Sequence, residues 1–210
     1  MDNETKNYLA SQIDMIAQKI SSIQEKNPSK RLGIKISKGI SETACTRLCQ
    51  YLDFESPPDC LEWLAICNGI EGGCIQNLYG HDSIMEHCTI SEDVYEGWKK
   101  LQYFPLGNDR CGDYYYAIPF KKGGETYFPV VFVEGSQPGQ ELGKCTHIMA
   151  SSVPIFLKYF LQLIQYELRY FYDEGGKSYD FWWPYDKDLV LRNDPEIASF
   201  NITLPWEEED

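Results

Sequence analysis

Between Tyr103 and Met149 the chain runs through four aromatic and β-branched stretches: Tyr103–Leu106, Tyr114–Phe120, Thr126–Glu134 and Thr146–Met149. Glycine-bearing stretches at 107–112, 123–124 and 135–143 separate them. Short runs of this composition divided by turn residues predict an antiparallel meander. Helical periodicity flanks it on both sides. Leu9, Ile13, Ile16, Ile20 and Ile23 follow a 4-3-4-3 spacing that stops at Asn27-Pro28, so a helix over 4–27 is expected to dock on the core. Leu157, Leu161, Ile164, Leu168 and Phe171 repeat that spacing after Ser151-Ser152, and Phe156, Phe160 and Leu163 widen the stripe. Strands grouped in the middle with helices at both ends make an α+β fold, a mainly antiparallel sheet packed by helices. With 210 residues, one domain over 1–172 and a C-terminal extension over 173–210 are expected.

The intervening segments carry weaker signals. Alternation at Leu32, Ile34 and Ile36 suits a short strand, and Ser41 can cap a helix that turns Ala44, Leu48 and Leu52 inward. Ser56-Pro57-Pro58-Asp59 has the form of a capping box. The helix it opens is expected to bury Leu61, Leu64 and Cys67 and to end at Asn68-Gly69. A glycine-rich loop is expected from there to about His87. Ser91–Gln102, with acids in front and Lys99-Lys100 behind, then predicts another helix.

Charge excludes some functions. Nineteen Lys and Arg against 32 Asp and Glu give −13, the wrong sign for releasing counterions from nucleic-acid phosphates or for an anionic membrane. Neither nucleic acid nor membrane is therefore an expected partner; a basic protein is. Residues 171–210 hold eleven acids and three bases, −8, and nine of the 30 aromatic residues. A purely solvated tail would not carry these rings, so the segment either folds back on the domain or presents aromatic anchors. The N-terminus shows no signal-peptide pattern and no apolar run reaches membrane-spanning length, so a cytoplasmic location is expected.

Catalytic and metal chemistry find little support. No CxxC pair occurs among the eight cysteines, and Gly-containing segments interrupt the seven-residue recurrence of Cys60, Cys67, Cys74, His81 and Cys88. Buried free thiols are the expected reading in a reducing compartment. Gly107 and Gly112 have phosphate-loop spacing, but Asp113-Tyr114 stands where that loop needs Lys and a hydroxyl. His81 and His87 are spaced wrongly for a zinc helix, and Asp109 and Asp113 lack a surrounding calcium loop. No catalytic residue, metal or cofactor is expected.

Three stretches carry a resemblance. Pro58-Asp59-Cys60-Leu61-Glu62-Trp63-Leu64-Ala65-Ile66-Cys67-Asn68-Gly69 is the first. Phe104-Pro105-Leu106-Gly107 followed by Gly112-Asp113 and Tyr114-Tyr115-Tyr116 is the second. Pro129-Val130-Val131-Phe132 with the later Ser151-Ser152 and Phe156-Leu157 is the third. Over about residues 40–170 the chain resembles the SUKH superfamily, which includes Syd, Knr-type regulators and many bacterial toxin-immunity proteins. The resemblance implies a curved sheet packed by helices and a non-enzymatic role. That role is binding and neutralising a cognate toxin with a basic surface, many such toxins being nucleases; the alternative is an intracellular regulatory or scaffold module. Candidate contacts are Asp109, Asp113, Tyr115, Trp182, Trp183, Tyr185 and Asp186. Residues 173–210 lie beyond the usual end of the family, and Gly112-Asp113 reads as turn chemistry ahead of toxin contact.

Overall fold

The first long helix forms where the apolar stripe predicts it. In the computed structural model, which describes residues 1–29, 31–89, 100–134, 146–173 and 184–207, α1 spans Asn3–Lys26. Its N-cap Asp2 accepts the Thr5 N–H at 2.7 Å, and Leu9, Ile16, Ile20 and Ile23 are buried. The chain continues through β1 (Lys35–Lys38), α2 (Glu42–Leu52), α3 (Pro58–Ile66), β2 (Cys67–Glu71), β3 (Asn77–Leu78) and α4 (His81–Thr89). Next come β4 (Phe104–Asn108), β5 (Tyr114–Ala117), β6 (Phe120–Lys122), β7 (Glu125–Tyr127), β8 (Val130–Val133) and β9 (Thr146–Ala150). The long helix α5 (Val153–Leu168) runs into a π-turn at Arg169–Asp173, and α6 (Lys187–Asn193) follows.

Seven strands form one sheet in the order β1-β2-β3-β4-β5-β8-β9, every neighbouring pair antiparallel; β6 and β7 form a separate hairpin. The α+β architecture with an N-terminal helix is thus the one the sequence predicts. Alternation along the strands divides the apolar side chains between two cores. Phe104, Leu106, Tyr115, Ala117 and Val130 join α5 in the large core, whereas Tyr116, Ile118, Val131 and Val133 meet Tyr103 in a smaller one on the opposite face. Across α5 lies α1, tied by hydrogen bonds from Gln162 to Tyr8 (3.0 Å) and from Gln165 to Gln12 (2.8 Å).

Residues 184–207 also lie on this body. Val190, Ile197 and Phe200 are buried in the large core, and the Asp194 carboxylate accepts the Ser151 N–H at 2.7 Å. The Ile148 N–H donates to the Thr203 carbonyl at 2.9 Å, so the chain covers the outer edge of β9. Among the described residues no helix is long and apolar enough to cross a membrane.

Several local expectations need correction. The box at Ser56 does not form: Pro57 is the N-cap of α3, no side chain caps it, and the Ser56 hydroxyl is buried without a partner. Asn68-Gly69 does not end α3 either. The helix converts at Cys67 directly into β2, where Gly69 takes φ +94 and passes Gly80 so closely that a Cβ would lie 2.6 Å from its nitrogen. The predicted loop to His87 instead contains β3 and α4. Leu32 and Ile34 precede the first strand, and of the three predicted positions Ile36 alone lies in it. Pro119 and Pro129, which lack an N–H for a ladder, mark where the predicted strands 114–120 and 126–134 break to form the β6–β7 hairpin. Ser152 is the N-cap of α5, but its hydroxyl makes no capping bond. The helix expected over Ser91–Gln102 lies almost wholly outside the described residues, as do Trp182 and Trp183.

Candidate functional site

Strands β4 and β5 carry two adjoining polar features, one at their connecting turn and one on the face opposite α5. At the turn, the Asp109 carboxylate accepts the N–H groups of Cys111 (2.7 Å), Gly112 (2.8 Å) and Asp113 (2.9 Å). The Asp109 N–H in turn donates to the Asp113 carbonyl at 2.9 Å. Gly112 supplies the positive φ of +96 that closes the loop. One Asp109 oxygen is thereby committed to holding the turn.

Beneath this turn sits Glu167, near the C-terminal end of α5 and 3% exposed. One oxygen accepts the Gln76 N–H at 2.8 Å, and the other faces Arg110 Nε at 3.5 Å without a hydrogen-bond partner. Burial outweighs the Arg110 charge and pushes the Glu167 carboxyl up to about 7. The Arg110 guanidinium lies over the Phe171 ring, 4.7 Å from its centroid. Tyr115, only 4% exposed, sends its hydroxyl to Gln76 Oε1 at 2.7 Å, where the charges of Asp109, Glu167 and Asp113 and the Tyr185 phenol all act on it.

The structure therefore gathers Asp109, Asp113, Tyr115 and Tyr185 near one another. Tyr115 sits in the core, Asp113 is half-buried, and Tyr185 is 58% exposed. Asp186 serves as the N-cap of α6, accepting the Leu189 N–H at 2.9 Å. Glu167 had been hidden in the sequence by its position beside the apolar stripe of α5, three residues after Ile164. A carboxylate flanking that stripe was the available signal.

On the other side of β4 is a cleft of about 470 Å³, lined by Glu71, Gly72, Asn77, Tyr79, Ser83, Glu86, His87, Asn108 and Tyr114. Its frame is hydrogen-bonded. The Ser83 hydroxyl and the Gly80 N–H both donate to Glu71 Oε1, the latter at 3.2 Å. Asn77 accepts the Gly72 N–H at 2.8 Å and donates to Asn108 at 2.9 Å. His87 forms the floor: its Nε2 lies 3.0 Å from the Tyr116 hydroxyl and its ring is flanked by Tyr114 at 4.8 Å and Tyr79 at 5.7 Å. Burial pushes His87 down to about 4, so it is uncharged at neutral pH. Burial and the neighbouring Tyr114, Glu71 and Glu86 hold the Tyr79 phenol well above its usual range.

The cleft draws on β2, β3, α4, β4 and β5, the first three inside the stretch read from sequence as a loop. No periodic pattern joins them before the sheet is assembled. Among the described residues no group of His, Cys, Asp and Glu is arranged to hold a metal ion. Cys45, Cys60, Cys67 and Cys88 are buried thiols, the last two pushed up to about 12 by burial.

A family model described as the SMI1 / KNR4 family (SUKH-1) matches residues 39–159, from just before α2 into α5. The matched segment contains the cleft and the Asp109–Asp113 turn; Glu167 and residues 184–207 lie beyond it. No curated protein matches the chain.

Proposed function

The chain belongs to the SMI1/KNR4 family (SUKH-1), and on that premise we propose that it is an immunity protein, a non-enzymatic module that neutralises a cognate toxin in the cytoplasm by binding it. The observation that most supports this reading is the acidic, phenol-lined cleft beside the Asp109–Asp113 turn. Both lie within the matched segment, on neighbouring strands of one rigid sheet. Carboxylates in a cleft with no lining cation among the described residues favour a basic partner, and a nuclease toxin is basic where it grips phosphates. A His87 with a pKa near 4 is too weak a base for proton abstraction at neutral pH; it serves as an uncharged hydrogen-bonding floor. Tyr185, exposed near the Asp109–Asp113 turn, is a candidate hot spot, and Trp182 and Trp183 are candidates by residue type alone.

The test is expression of the reading frame neighbouring this chain's own, with and without the chain, in a sensitive host. Restored growth together with a purified complex is the expected outcome. Killing that continues despite soluble, folded chain would contradict the immunity role. A stable complex with a non-toxin protein and no rescue would instead favour a regulatory or scaffold module of the same family.

A further inference from the structure

We propose that the cleft between α4 and β4–β5 is a receptor for a single cationic side chain, arginine in preference to lysine, presented by the partner protein. Its chemistry is one-sided. Glu86, exposed on α4, has no ion-pair partner among the described residues, and Glu71 spends one oxygen on Ser83 and Gly80 while the other has no hydrogen bond there. Among the described residues, neither the Tyr79 nor the Tyr114 hydroxyl has a hydrogen-bond partner and no Lys or Arg lines the cleft. The His87 floor supplies no compensating positive charge at neutral pH.

These groups match what a guanidinium needs. Its faces are attracted to aromatic rings, and Tyr79 and Tyr114 flank the floor at 5.7 and 4.8 Å from the His87 ring. Its N–H fork needs acceptors, which Glu71, Glu86 and the two phenol oxygens provide. The volume, about 470 Å³, admits one long side chain rather than a folded element. The hydrogen bonds from Gly72 to Asn77 and from Asn77 to Asn108 fix the wall before any ligand arrives, so little ordering cost falls on binding.

That the cation belongs to a protein rests on the immunity reading; the cleft itself can be tested without a partner. The isotope-labelled full chain is titrated with N-acetyl-arginine amide, and with N-acetyl-norleucine amide as a neutral match. Saturable amide shifts confined to residues 71–89, 108 and 114 are expected with the arginine probe, in the millimolar range, and not with norleucine. Raising NaCl to 0.5 M should weaken binding several-fold. Glu86→Gln should weaken it by about threefold or more, and Glu86→Lys should abolish it. Glu4→Lys, on α1 across the sheet, should leave it within about twofold.

Equal shifts with both probes, no saturation, or binding that survives Glu86→Lys in a folded chain would overturn the assignment. If the arginine probe fails while toxin rescue succeeds, the cleft is wrong and the immunity reading stands. If the probe binds while rescue fails, the cation site stands and the immunity reading falls.

Discussion

Glu167 and His87 are buried titratable groups shifted in opposite directions, and their effects on stability oppose each other. Folded Glu167 has a pKa of about 7 against 4.5 in the unfolded chain, so between these values the folded state binds more protons and stability falls as pH rises. Folded His87 has a pKa of about 4 against 6.5, so the unfolded state binds more protons and stability rises with pH. From about pH 4.5 to 6.5 the two slopes cancel. Single variants should expose each slope: Glu167→Gln should gain stability across this window and His87→Gln should lose it, each by about 2–3 kcal/mol. Urea unfolding at pH 4.5, 5.5 and 6.5 measures both, and parallel profiles for the two variants would refute this account. Asp194, also pushed up by burial, is common to both proteins and drops out of the comparison.

At the scale of elements, the sheet is held together through its shortest member. Two residues of β3 join the β1-β2 pair to the rest of the sheet, and Leu78 pairs with Gly107 so closely that a Cβ on Gly107 would lie 2.0 Å from the Asn77 carbonyl oxygen. Gly107→Ala should therefore cost about 3 kcal/mol or more in urea unfolding. Gly123→Ala, at a turn with open space and φ +62, should cost about 1 kcal/mol. At the far edge, the Ile148 amide should be protected from hydrogen exchange by Thr203, and truncation before Ile202 should release it while the Val131 amide stays protected. Protection of Ile148 that survives truncation would show that another group covers β9.

These same elements show what could be read from the chain. The helices α1 and α5 were legible because their apolar positions repeat over four or more turns, and the meander because Gly and Pro punctuate it. A two-residue strand has no period, and α4, with Ile84, His87 and Cys88 as its buried side, has too few apolar residues to announce a helix. Asn68-Gly69 carried the right residues for a helix end, but Gly69 is used instead to let β2 pass Gly80. The turn at Asp109–Asp113 was visible locally. Its link to Glu167, and the cleft on the other face, depend on β3 lying between β2 and β4.

For the whole molecule, the acids of residues 184–207 do not sit on a detached tail, because Val190, Ile197 and Phe200 are core residues and Asp194 holds Ser151. Deleting 186–210 would expose that core and compromise the fold, so the contribution of this segment to binding is better probed at its surface. Tyr185→Ala should weaken toxin binding by about tenfold while leaving the urea midpoint unchanged, since the ring is largely exposed. The central claim, that this acidic sheet face captures and silences a basic toxin, is tested most directly by calorimetric titration of the purified chain with its cognate toxin, sought as the product of the neighbouring reading frame, paired with an assay of toxin activity. A one-to-one complex of submicromolar affinity that loses strength between 0.1 and 0.5 M NaCl and abolishes toxin activity is the predicted result. Absence of binding, or a complex in which the toxin remains fully active, would contradict it.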